Sequence, residues 1–338
     1  MPLPHRITWL LAGILSCAVV ALPPSSPLKV GLVLDRGGKD DKSFNASAYR
    51  GATQAKDTLK IHLKVLECST DSAFVPSLRT FAQHGYDLII GIGFVQKSAI
   101  EQVAQQFPKT DFLLIDAPSS VPNVRSVLFE EHEGSYLVGV IAALTSKTKT
   151  VGFIGGMDIP LIRRFELAYR TGAQSSLAPV TVLTHYVGAS SDSWRNPSKA
   201  KELALLQFSK GADVIFCAAG ASCLGVFDAA EEKNRLVIGV DSNQNWLKPG
   251  FILTSMVKAV DQAVFEAIRE KVQGSFQHGL VRMGLKEGAV SFSVDPFNRK
   301  ILSPAIENEA LQVRERILKG QIRVPDYYVS AQSKRNPK

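Results

Sequence analysis

D-R-G-G-K-D-D-K-S-F-N-A-S-A-Y-R-G, residues 35 to 51, decides how the chain is read. It follows the first convincing strand, Leu28-Lys29-Val30-Gly31-Leu32-Val33-Leu34, and runs into a helix with Ser43 placed as its N-cap. A strand, a glycine-bearing loop and a helix N-terminus in this order form a ligand-facing edge of an open α/β sheet, because ligands sit beyond the carboxyl ends of the strands. The loop offers a carboxylate (Asp35), an aromatic face (Phe44) and an amide (Asn45), a set that suits a flat polar heterocycle. The plainer reading packs Phe44 in the core, makes Asn45 a cap and leaves the charges solvated; these residues alone leave both open.

Outward from this stretch, short apolar runs alternate with amphipathic segments. Lys64–Cys68, Asp87–Ile92 and Asp111–Asp116 read as strands, with helices around residues 73–84 and 96–106 between them. The cycle restarts at Thr150–Gly156 and continues through a helix from about Leu161 and strands at Val180–Leu183, Asp213–Phe216 and Leu236–Val240. This alternation means βαβ units and largely parallel sheets. Two α/β lobes are expected. The chain is expected to pass between them near Ser146 to Thr150, again at Ile252–Ser255, and a third time at Ala289–Val294. Residues 28–146 with about 257–290 form one lobe, and 147–256 with about 291–325 the other. Several crossings imply a hinge and a cleft. The strands end in residues placed to face that cleft: Asp35, Phe94, Asp116, Gly156, Gly220 and Asp241. Trp194 stands in a polar loop where no core demands it, which favours stacking on a ligand. Lys258, taken alone, reads as a solvated helix residue.

At 338 residues the chain is long enough for two lobes with cores of their own. Its net charge of +8 is spread evenly, with no basic helix or aromatic-basic ladder, so nucleic acid is not an expected partner. The densest basic run lies in residues 330–338 and reads as a solvated tail. Arg6 and the apolar run Ile7–Val20 read as a signal peptide over residues 1–21. Either Ile14-Leu15-Ser16-Cys17 is a lipobox and Cys17 is lipidated, or cleavage falls after Ala21; both readings export the chain. Cys68, Cys217 and Cys223 remain, with no zinc-ligand spacing. Cys217 and Cys223 could pair, but the reading favours buried free thiols.

Gly37-Gly38 followed by Asp41-Lys42-Ser43-Phe44-Asn45 and Gly51 resembles the opening motif of the basic membrane protein family, the substrate-binding lipoproteins of purine-nucleoside ABC transporters. The resemblance continues through Gly91–Phe94, Phe129–Gly139, Gly152–Pro160, Gly211–Phe216, Gly239–Gln244 and Leu253–Lys258. It implies a type I periplasmic-binding fold, two doubly wound α/β lobes joined by three strands that close over ligand. It implies that Phe44 and Trp194 sandwich a purine, that Asp35, Asn45 and Asp116 address the base edge, that Asp241 and Lys258 hold the ribose hydroxyls, and that Gly220 makes a backbone contact. Phe94 is the further expected ligand contact. The resemblance also implies a monomer serving a transporter permease, in the periplasm or cell envelope, with no cofactor. Two departures stand out: Cys223 lies in Ala219–Gly225, where the family prefers a glycine-rich loop, and Asn196 replaces an aspartate after Trp194.

Enzyme readings fare poorly. Gly220-Ala221-Ser222-Cys223-Leu224 lacks the second glycine of a nucleophile elbow, and Gly91-Ile92-Gly93 lacks the third glycine of a dinucleotide fingerprint. His132 between Glu131 and Glu133 could suggest a metal or a general base, but an acidic helix N-terminus is the simpler account. An extracytoplasmic ligand sensor of the same fold, or a binder of another small polar ligand, is the alternative to transport.

Overall fold

A computed structural model of the chain describes residues 26–176 and 179–329. The expected signal peptide with Cys17 and the basic tail lie outside the described residues.

The central strands form where short apolar runs carry no polar face. β1 (Lys29–Leu34) is buried from Val30 onward, and β3 (Leu88–Ile92) and β8 (Val214–Ala218) are buried throughout. Burial on both faces is what makes parallel-sheet strands read as continuous apolar runs. The first sheet runs β11 (Gly279–Met283), β5 (Val124–Phe129), β4 (Asp111–Ile115), β3, β1, β2 (His62–Glu67), all parallel. The second runs β12 (Val290–Phe292), β10 (Ile252–Lys258), β9 (Leu236–Asp241), β8, β6 (Thr150–Met157), β7 (Thr181–Gly188). It is parallel except for β12, which pairs antiparallel with β10. Each sheet winds both ways from one strand, β1 or β6, and so places a crevice at its carboxyl edge.

Helices α2 (Phe74–Gln83) and α3 (Lys97–Gln106) cover one face of the first sheet through Phe74, Leu78, Phe81, Ile100 and Val103. α1 (Phe44–Leu59) and α8 (Val260–Val272) pack together on the other. α4 (Glu131–Thr145) packs against α5 (Pro160–Ser176) and α9 (Pro304–Leu318) beside the second sheet.

The chain therefore leaves the first sheet after Phe129, ahead of the expected Ser146 to Thr150. α4 is buried around nearly its whole circumference. A helix with no polar face gives no sequence signal of which sheet it covers. The second passage follows Lys258 into α8, later than the expected Ile252–Ser255, because β10 stays bonded to β9 through Val257. The third runs from Met283 to Val290, just ahead of the expected stretch.

Cys217 and Cys223 form a disulfide, against the expectation of free thiols. β8 ends at Ala218, and a tight turn, Gly220–Ser222, brings the first residue of α7 (Cys223–Lys233) back to 5.7 Å in Cα separation. That return lies within the reach of a disulfide. Cys68 is free and buried.

Candidate functional site

The carboxyl edges of the two sheets face one another across a cavity of about 580 Å³, its open mouth included. Asp35, Phe44, Asn45, Phe94, Asp116, Trp194, Gly220, Asp241 and Lys258 all line it. Asp35 follows β1, Asp116 follows β4, and Asp241 and Lys258 end β9 and β10. Asp116 and Asp241 both hold positive φ, +69° and +64°, which turns their carboxyls off the strand line. Aspartate enters this left-handed region more readily than most residues, because its short polar side chain can bond nearby groups.

Lys258 is the centre of charge. Its side chain is 2% exposed. Its Nζ donates to Asp116 Oδ2 at 2.6 Å, lies 3.7 Å from Asp241 Oδ1, and sits over the Phe44 and Phe129 rings at 4.6 and 5.3 Å. Burial alone would push this lysine down, but Asp116, Asp241 and Glu131 outweigh it and hold it above its ordinary value. Lys258 is thus the end of a strand rather than a solvated helix residue. Asp116 Oδ1 is buried with no hydrogen-bond partner among the described residues.

Asp35 and Asn45 form a second polar unit. Asn45 Nδ2 donates to Asp35 Oδ1 at 2.6 Å and to Asp41 Oδ2 at 2.9 Å, and Asn45 Oδ1 accepts from the Asp35 N–H at 3.0 Å. Both amide hydrogens are taken, so Asn45 can donate nothing to a base without releasing a carboxylate; what it does is orient Asp35. Burial pushes Asp35 up to about 7, with Asp41 and Asp241 adding to the rise and the Gly37 N–H and Asn45 opposing it. Arg36 does not pair with Asp35. It reaches across the cavity mouth to Asp192. Ser191 Oγ likewise donates to Asp71 Oδ2 at 2.8 Å.

Ser43 does not cap α1 with its side chain. Asp41 does that work, accepting from the N–H groups of Ser43, Asn45 and Ala46 at 2.8 to 2.9 Å. The Ser43 hydroxyl points instead to the opposite sheet, 2.8 Å from Asp241 Oδ2 and 3.1 Å from Val240 O. Ser242 Oγ donates back to Ser43 O at 2.9 Å.

Phe44 and Trp194, both half-buried, come from opposite sides of the cavity. Trp194 sits in a short turn, Ser191–Arg195, with Phe94 edge-on at 6.4 Å between centroids. Gly156 makes room for its indole: a Cβ there would fall 2.2 Å from the ring. Phe165, Leu161 and Ile162 on α5, together with Asp41, also line the cavity and were not expected. On an amphipathic helix the first three read as ordinary core residues. Asp41 was masked by Ser43 as the apparent cap.

His132 lies at the start of α4 beside Glu130 and Asp326, their donor atoms within 4.8 Å of one another. A cation already holds this cluster: Arg164 donates to Glu130 and Asp326 and, at 2.9 Å, to His132 Nδ1. Burial and the guanidinium push His132 down to about 4, so it is a neutral acceptor.

Known proteins share both the sequence and the shape. The family model described as "ABC transporter substrate-binding protein PnrA-like" matches residues 28–327. The chain is similar to "Basic membrane protein A" of Borreliella burgdorferi, 33% identical over 320 residues that span 92% of this chain and 91% of that one. It is also similar to "ABC transporter nucleoside-binding protein BmpA" of Lactococcus lactis, 32% identical over 321 residues, 88% and 89% of the two chains. A solved ABC transporter solute-binding protein from Aeropyrum pernix superposes with a TM-score of 0.83 at 28% identity, over 91% of this chain and 97% of that one. With two doubly wound sheets facing one lined cavity, the chain belongs to the Bmp family of PnrA-like ABC transporter substrate-binding proteins.

Proposed function

We propose that the chain captures a purine nucleoside in this cavity and presents it to an ABC transporter permease outside the cytoplasm. It would work as a monomer, held in the envelope by a lipid on Cys17 if that residue is modified. The two sheets and their helices serve as lobes that close over the ligand by turning about the three passages. The observation that carries the reading is the arrangement around Lys258. Phe44 and Trp194 supply faces for a base, while Asp116, expected at the base edge, is bonded to Lys258 and joins it and Asp241 in a compact acceptor-donor set for a vicinal diol. A carboxylate accepts from two adjacent hydroxyls, and an ammonium donates to their oxygens. Asp35, held by Asn45, presents a carboxyl to the base edge. Four carboxylates against one lysine in the lining disfavour a phosphorylated ligand.

Calorimetry with inosine, guanosine, adenosine, uridine, ribose and inosine 5′-monophosphate tests this. Heat is expected with at least one purine nucleoside and much weaker binding for its monophosphate. Silence with every purine alongside heat with ribose rejects the reading. Phe44→Ala should weaken the preferred nucleoside by roughly 1–3 kcal/mol, the contribution of one stacked base; unchanged affinity removes Phe44 from the stack.

Asp35 makes the fold pH-sensitive. Its native pKa is raised, so between the ordinary carboxylate range and about 7 the folded state binds the extra proton. Its contribution to stability is fully present at low pH and is lost as pH rises through about 7. Urea midpoints from pH 4 to 8 should therefore fall in the wild type relative to Asp35→Asn. Parallel curves would show that Asp35 titrates as it does in the unfolded chain.

A further inference from the structure

We infer that the Cys217–Cys223 disulfide is a positioning element of the binding cavity, acting through the turn it closes to hold the Trp194 indole in place. Both sulfurs are fully buried, and the chain between them, Ala218 to Ser222, contributes Ala218, Gly220 and Ala221 to the cavity wall. The link from the turn to the indole is a single side chain. Ser222 Oγ donates to Ser193 O at 2.7 Å and accepts from the Asn196 N–H at 2.7 Å, so one hydroxyl grips the backbone on both sides of Trp194. Gly220, at φ +57°, lies directly beneath: a Cβ there would stand 3.4 Å from Trp194 O and 3.8 Å from its Cβ. The Ala219 N–H donates to Cys223 Sγ at 3.3 Å, which ties the middle of the turn to the disulfide as well.

The turn needs such a staple. Ala219 and Ala221 are buried, Ala219 fully, but a methyl group gives the segment little apolar area with which to resist displacement. Trp194 itself sits on a polar loop flanked by exposed Asp192 and Arg195. Phe94 touches it edge-on but comes from the facing sheet, so it moves away whenever the two sheets separate. On its own side Trp194 keeps two supports, the Gly156 backbone of β6 under the indole and the disulfide-closed turn that grips the backbone around it. Pre-ordering an aromatic wall before ligand arrives removes part of the ordering cost of binding.

The inference rests on the nucleoside reading only where affinity is the readout, and the test separates the two. In the full chain carrying Trp9→Phe and Trp246→Phe, Trp194 is the sole indole. Acrylamide quenching of the ligand-free protein then reports its mobility. Cys217→Ala/Cys223→Ala should raise the quenching constant about twofold, and Ser222→Ala should raise it with the disulfide intact, as expected for a side chain freed from a closed loop. If the double variant does not fold, the wild type reduced with a phosphine and checked by thiol alkylation takes its place. Inosine calorimetry on the same proteins should show roughly tenfold weaker binding, the equivalent of one or two rotamers left to order. Unchanged quenching in both the disulfide-free protein and Ser222→Ala overturns the inference. So does raised quenching with inosine affinity unchanged, which leaves the disulfide a purely stabilising bond. Should the wild type give no heat with inosine, guanosine or adenosine, the nucleoside reading falls and the indole measurement still decides.

Discussion

Lys258→Met is expected to weaken nucleoside binding by about 2–5 kcal/mol, roughly thirtyfold to a few thousandfold. The reason is that two functions share one ammonium. Its Nζ bonds Asp116 Oδ2 at 2.6 Å and faces Asp241 Oδ1 at 3.7 Å, and both carboxylates are themselves buried. Methionine fills the volume between Phe44 and Phe129 but leaves two buried carboxylates with no cation. Breaking a buried pair by removing one partner costs about 3–5 kcal/mol of stability. The variant also has a pH signature. Burial already holds the Asp241 carboxyl above its ordinary range against the pull of Lys258, so without the ammonium it is pushed higher still. That stability is present at low pH and lost as pH rises through the raised value. The deficit in urea midpoint relative to wild type should therefore be larger at pH 8 than at pH 5. Lys258→Met/Asp116→Asn should recover part of it, because one of the stranded charges is gone. Binding within threefold of wild type, together with an unshifted midpoint, would show that Lys258 is neither tether nor counter-ion.

The fold was legible because its central strands are covered on both faces. Runs such as Leu88–Ile92 and Val214–Ala218 carry no polar residue, and only a parallel sheet between helices hides such runs completely. The cavity was legible for the same geometric reason, since strand-end positions Asp35, Asp116 and Asp241 must converge wherever two such edges face each other. What stayed hidden depends on pairing across long sequence separations. Asn45 looks like a free amide in sequence, yet its hydrogens go to a carboxylate ten residues back and to another four residues back. Ser43 looks like a helix cap because serine commonly is one, but the Asp41 carboxylate takes the N–H groups at this helix start, and the Ser43 hydroxyl donates instead to Asp241 nearly two hundred residues away. The disulfide depended on a turn whose small residues carry no directional signal. Phe165 was indistinguishable from core because on α5 the cavity wall and the core are one continuous apolar face.

Arg164→Met should be the most destabilising substitution outside the cavity, lowering stability by at least about 3–5 kcal/mol. Arg164 is 1% exposed, and every one of its N–H groups is committed. Nε donates to Asp326 Oδ1 at 2.8 Å, and Nη1 donates to Phe129 O at 2.9 Å and Glu131 Oε1 at 2.8 Å. Nη2 serves Glu130 Oε2, His132 Nδ1 and Asp326 Oδ2 at 2.5 to 3.0 Å. Tyr328 stacks on the guanidinium at 4.8 Å. These partners come from the end of the first sheet, the start of α4 and the segment after α9, so one side chain ties the first passage to the segment that follows α9. Arg282 also reaches Glu130, but its half-exposed side chain in a wet setting cannot replace a buried charge. Burial pushes Glu131 up to about 7 even with Arg164 beside it. Once the guanidinium is gone, that carboxyl should be neutral at physiological pH, and part of the loss is recovered by protonation. Arg164→Lys keeps the charge but not the fork, and an ammonium with three donors cannot reach the six acceptors, so it should recover only a fraction of the loss. Urea unfolding at pH 7 with the three proteins side by side gives the answer. A lysine variant equal to wild type would mean that charge alone matters at this passage, and a methionine variant equal to wild type would mean that the cluster contributes nothing to holding it.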